Sequence, residues 1–110
     1  MKMYIAVLNE VSDYMVPTLV AHSVLNAHIK FQDNFLYEKW LKESFKKCVL
    51  RVNIKEFEKI SQLVNVHLGH ENSTLEGKPS CAVVCPVPNE EIPKVLKFAK
   101  LWAPKNGEVK

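Results

Sequence analysis

Glycine is scarce in this chain: three residues in 110, at positions 69, 77 and 107. Nothing in it has the spacing of a glycine-rich phosphate cradle, a nucleophile elbow or a zinc motif. Long apolar runs are absent too, and no stretch approaches the roughly 18 residues that span a bilayer. Met1-Lys2-Met3 leads straight into a short strand-like segment instead of a signal-peptide core and cleavage site, so a cytoplasmic location and no membrane contact are expected. Cysteine is sparse and odd in number: Cys48, Cys81 and Cys85 cannot all pair, and a disulfide framework is not expected in a chain with enough core to fold unstapled. Neither sign of charge dominates. Fifteen Lys plus Arg against twelve Asp plus Glu give +3, short of the dense positive field of a dedicated nucleic-acid binder.

What remains is an ordinary globular composition, 47% hydrophobic and 25% charged, with length for one core. The expected organisation is a single domain over 1–103 and a flexible tail over 104–110. Met3 to Leu8 reads as a strand covered on both faces. Pro17 suits the first turn of a helix running to about Ile29, with Leu19, Ala21, Val24, Leu25, His28 and Ile29 at helical spacing. Tyr37, Trp40, Leu41 and Ser44 mark a second helix over Tyr37 to Lys46. Cys48 to Val52 is a strand, and Asn53 caps a helix carrying Ile54, Phe57 and Ile60 inward.

Val64 to Leu68 reads as a third strand and Gly69 to Lys78 as a polar loop fit for function. Ser80 to Cys85 is a fourth strand, on which Cys81 and Cys85 share a face yet stand too far apart for a disulfide. A closing helix from about Glu90 to Trp102 presents Ile92, Val95, Leu96, Ala99 and Trp102 inward. The order β-α-α-β-α-β-β-α implies an α/β fold with helices on both faces of the sheet.

Several words of the sequence carry a resemblance over nearly the whole chain. Lys2-Met-Tyr-Ile-Ala-Val-Leu followed by Leu19-Val-Ala-His-Ser-Val-Leu-Asn-Ala, and Ser80-Cys-Ala-Val-Val-Cys-Pro-Val-Pro with its closing helix, resemble the opening and closing segments of the type II peptidyl-tRNA hydrolase superfamily. The resemblance implies a three-layer α/β/α sandwich with a four-stranded mixed sheet, and hydrolysis of the ester joining peptide to tRNA. The family uses a Lys at the start of the first helix, a nearby Gln, an acidic residue in the loop before the last strand and a Thr at the start of that strand. Here Met15 and Leu19 stand at the first two positions, His70 or Glu71 is nearest the loop acid, Ser80 keeps the hydroxyl, and His22 matches a helix histidine. Losing such a Lys removes a stabiliser of developing charge worth on the order of 10²–10³ in rate. The chain therefore resembles a branch of the superfamily without the standard hydrolase residues.

The candidate catalytic residues are His22, Ser80, His70 and Glu71. A neutral His22 lining a cleft at the strand ends could act as general base toward Ser80. His67, His70 and Glu71 do not make a metal site in an extended segment, because residues three apart face opposite ways. No cofactor and no metal is expected. Two readings stand: a binding domain with a cleft near His22, Gly69 to Lys78 and Ser80, or an enzyme that cleaves peptidyl-tRNA from a relocated site. The partners these readings allow are tRNA or a small molecule, and a second copy of the chain.

Overall fold

Six consecutive buried residues, Met3 to Leu8, make the first strand the hub of the molecule, in a computed structural model that describes residues 1–70 and 78–105. Strand β1 (Lys2–Leu8) leads through a 3-10 turn, Asp13–Met15, into helix α1 (Val16–Phe31). Helix α2 (Phe35–Lys39) continues as a π-helical turn, Trp40–Ser44, before strand β2 (Lys46–Val52). Helix α3 (Ile54–Ser61), strand β3 (Val66–His70) and strand β4 (Pro79–Val84) follow, and helix α4 (Lys94–Lys97) precedes strand β5 (Lys100–Leu101).

The strands form one mixed sheet in the order β3-β4-β1-β2-β5. β1 and β2 run parallel in the register Ile5↔Val49, while β4 is antiparallel to both β1 and β3, and β5 is antiparallel to β2. The pairs Val7↔Cys81 and Gly69↔Cys81 draw one line of residues across β1, β4 and β3. That line faces α1, because a Cβ built on Gly69 would lie 2.1 Å from Ser23 Oγ and 3.6 Å from Cys81 Cβ. Strand alternation turns Leu8 and the neighbouring pair Leu68↔Ala82 to the other face, where α3 lies.

Four features depart from the reading of the sequence. The sheet has five strands, not four, because the expected closing helix over Glu90 to Trp102 does not form. Pro93 supplies no N–H and holds Ile92 extended at φ −68°, ψ 123°, so only Asn89–Glu91 and Lys94–Lys97 are helical. The chain then adds β5 to the edge of β2, with Trp102 N donating to Val49 O at 2.9 Å, an ordinary length for such a bond. The second helix changes pitch at Trp40, whose buried indole donates to Lys46 O at 2.8 Å, and ends on Phe45 at φ 57°. β3 starts two residues later than expected, after Asn65 at φ 61°. Leu25 and Ile29, expected on the inner side of the first helix, are 67% and 62% exposed.

The terminal segment is strapped to the loop before α1. Arg51 Nη2 lies 3.2 Å from Asp13 Oδ1, also meets Ala103 O, and stacks its guanidinium over Trp102 at 5.1 Å. Lys105 N donates to Asp13 Oδ2, and this bond, with the Arg51 charge behind it, holds the Asp13 carboxyl below its ordinary range. Pro104 and Lys105 thus continue along the protein, and residues 106–110 of the expected tail lie outside the described residues.

The Gly69–Ser23 contact yields a stability test. Gly69→Ala should cost about 1–3 kcal/mol, since the added methyl overpacks a buried helix–strand contact. Ser23→Ala in the same chain should recover part of that loss, measured by urea unfolding. A Gly69→Ala protein as stable as the parent would show that the two elements are not held this closely.

Candidate functional site

The local sequence of α3 builds one wall of a crevice. Asn53 Oδ1 accepts from Glu56 N at 2.8 Å and Glu56 Oε1 accepts from Asn53 N at 2.8 Å, a capping box that starts the helix directly after β2. Phe57 and Ile60 go into the core, and Ile54, Glu58 and Ser61, at i, i+4 and i+7, line the flank. Below that flank the ends of β1 and β3 and the start of β4 leave a space of about 530 Å³. Leu8, Phe57, Leu68, Pro79 and Ile54 give it an apolar lining, while Glu10, Glu58, Gln62 and Lys78 supply polar groups. This is the place where open α/β sheets leave room for ligands, outside the carboxyl ends of the parallel strands.

Ser80 follows Pro79, which lines this crevice, at the point where the β3–β4 register shifts. It is fully buried, and its Oγ has no hydrogen-bond partner. His22 is exposed on α1, adjacent to Ser23, which packs against Gly69 beside Cys81, and no hydrogen bond joins His22 to the buried Ser80 hydroxyl. His70 ends β3 at a register shift after Gly69. Glu71 lies outside the described residues, as does the loop from 71 to 77. Of the two positions where the family has Lys and Gln, Leu19 is buried in the core and Met15 packs partly buried against it.

The remaining titratable groups behave as structure dictates. Burial pushes the Cys81 and Cys85 thiols up to about 11 each, so both stay protonated at neutral pH and are poor nucleophiles. Ser23 Oγ beside Cys81 opposes this only slightly and lacks the geometry of a full hydrogen bond. His28 Nδ1 lies 3.0 Å from Tyr37 Oη, tying α1 to the aromatic cluster of Phe31, Tyr37 and Trp40. Among the described residues no three His, Cys, Asp or Glu side chains converge to hold a metal, and no helix is long and apolar enough to cross a membrane.

The sequence reading missed Leu8, Leu68, Glu58 and Gln62 as site residues. One signal was present: a cap at Asn53 immediately after a strand, followed by a helix flank of mixed character. The partner strands across the gap follow only from the sheet order.

His67 gives a pH test. It is half-buried on β3, and burial first, then the charges of Lys30, His70 and His22, hold its imidazole below the ordinary 6.5. Below pH 6.5 the unfolded chain therefore binds protons more readily than the fold does. The stability tied to a neutral His67 is complete above that pH and is lost as pH falls through it toward the lower folded value. The thermal midpoint should drop between about pH 7.5 and about pH 5.5, with a shallower slope in His67→Gln. Equal slopes in the two proteins would remove His67 from the account.

Compared with known proteins, the chain matches no protein-family model and no curated protein.

Proposed function

We propose that this protein is a non-canonical member of the type II peptidyl-tRNA hydrolase-like superfamily that binds a small ligand in the crevice beneath α3. The observation that carries the reading is the crevice itself. It has an apolar lining, polar groups on one rim, and a position at the carboxyl ends of β1 and β3. Support for the family comes from the sequence words at both ends of the chain and from an α/β order in which β1 lies between β2 and β4. The edge strand β5 is an addition to the four strands that the resemblance implies.

Binding is favoured over the family's hydrolysis for chemical reasons. Met15 and Leu19 offer neither a positive charge nor a hydrogen bond where the family has Lys and Gln. Ser80 Oγ is buried without a hydrogen-bond partner, so no base is bonded to it. An unactivated hydroxyl is a weak nucleophile at neutral pH.

Two measurements test the reading. In NMR titration of the full chain with a panel of flat, apolar aromatic fragments, amide shifts should cluster on Leu8, Ile54, Phe57 and Leu68. Ile54→Asp, a change at a half-exposed position, should weaken that binding about tenfold while leaving the fold intact. Shifts scattered over the surface would refute the crevice as a binding site. In parallel, cleavage of a defined peptidyl-tRNA should be no faster with the purified chain than with its His22→Ala or Ser80→Ala form. Cleavage that is lost in either folded variant would replace the binding reading with that of a peptidyl-tRNA hydrolase with a relocated site.

A further inference from the structure

The charges around the crevice run against those of the whole chain. Glu10, in the loop after β1, and Glu58, on α3, are exposed acids in its lining, and Lys78 is the basic residue there. Two carboxylates and one ammonium give the described lining a formal charge of −1, in a chain that carries +3. Helix α3 sorts its charges to the same end. Ile54 and Glu58, four residues apart, line the crevice, whereas Lys55 and Lys59 follow the adjacent line of the helix and do not. The other acid of this helix, Glu56, is engaged in the Asn53 cap. Glu10 and Glu58 are not engaged: neither carboxylate has a hydrogen bond or ion pair among the described residues, unlike Asp13 with Arg51 and Glu38 with Lys42. Lys78 pairs with neither of them.

We infer that the ligand of this crevice is an aromatic molecule carrying one positive charge, such as a protonated arylalkylamine. The inference rests on the crevice being a ligand site and adds the charge of the ligand to that reading. Leu8, Phe57 and Leu68 offer the ring an apolar wall, and the ammonium supplies the partner that the two carboxylates lack within the protein. The local charge outweighs the net charge for a reason of distance. A space of about 530 Å³ is roughly 8 Å across, so an occupant lies within about one Debye length of the lining charges, ~10 Å at 0.1 M salt. The basic excess is spread over the rest of the surface, where salt screens most of it. Apolar walls beside the carboxylates also lower the local dielectric, which strengthens their attraction for a cation above its value in open water. A ligand carboxylate or phosphate would meet net like charge at the same rim.

NMR titration of the full chain with three indoles of similar shape tests the inference: tryptamine, a cation near neutral pH, indole-3-ethanol, which is neutral, and indole-3-propionate, an anion. Tryptamine should bind with a dissociation constant about threefold to fivefold below that of indole-3-ethanol, the scale of one exposed ion pair, and indole-3-propionate should bind most weakly. The ratio of the first two constants should shrink as salt is raised, and should fall to about one in the double variant Glu10→Gln/Glu58→Gln. Both residues are exposed, so that variant should keep the parent's thermal midpoint. Equal affinity for amine and alcohol, with amide shifts still clustered on Leu8, Ile54, Phe57 and Leu68, would overturn the inference and leave the crevice a ligand site. So would tightest binding of the anion, or a preference for the amine that survives in the double variant. Shifts scattered over the surface for all three indoles would overturn the inference and the crevice reading together.

Discussion

The two-sided burial of β1 is the constraint on which the rest of the fold depends. Every side chain from Met3 to Leu8 is out of water, so apolar cover is needed above and below the strand, and its backbone groups must find partners on both edges. β2 meets one edge in parallel, which obliges the chain to cross over through α1 and α2, and β4 meets the other edge antiparallel. α1 covers one face and α3 the other. Because α3 begins at once after β2, on its Asn53 cap, it crosses the face with its flank over the carboxyl ends of β1 and β3. The crevice is the space left at that crossing.

The two faces manage their polar intruders differently. On the α1 side Ser23 sits where Gly69 has no side chain, and the helix approaches the strand closely there. On β4, Ser80 stands fully buried between Pro79, which lines the crevice, and the apolar run that starts at Cys81. Each hydroxyl is buried without a hydrogen bond, a condition that costs about 1–3 kcal/mol and is uncommon in folded proteins. The edges of the sheet are managed as well: Lys30 Nζ donates to Val66 O on β3 at 2.7 Å, and the two-residue β5 lies along β2, held by the Arg51–Asp13 strap. On α1 the side through Leu25 and Ile29 is left exposed.

Much of the architecture was legible because it depends on local patterns. The uninterrupted runs at Met3 to Leu8 and Ser80 to Val84 declared buried strands, and Asn53 with Glu56 three residues later declared the start of α3. The misreadings have local causes too. Pro93 carried enough information to stop the last helix, yet the stripe from Ile92 to Trp102 outweighed it, and the same residues instead serve a one-turn helix and an edge strand. In α1 the apolar residues occur nearly all around, so periodicity could not say which side faced the sheet. The stripe through Leu25 and Ile29 competed with the one through Leu19, Ser23 and Ala27, and only packing chose between them.

By itself the sequence determined an α/β fold with its central strands, the capped helix α3, reduced thiols without a pairing scheme, and the loss of the Lys and Gln positions that the family resemblance would require. These are set by residue identity, local period and capping chemistry, which need no distant partner. Tertiary structure alone decided that Ser80 is buried without a partner while His22 is exposed, that Leu8 and Leu68 from strands on either side of β4 line one crevice, and that Leu25 and Ile29 look outward. The reason is physical: a strand's alternation fixes that neighbours face opposite ways, but which face meets which helix depends on strand order and crossover, and these are set by long-range burial summed over the whole chain.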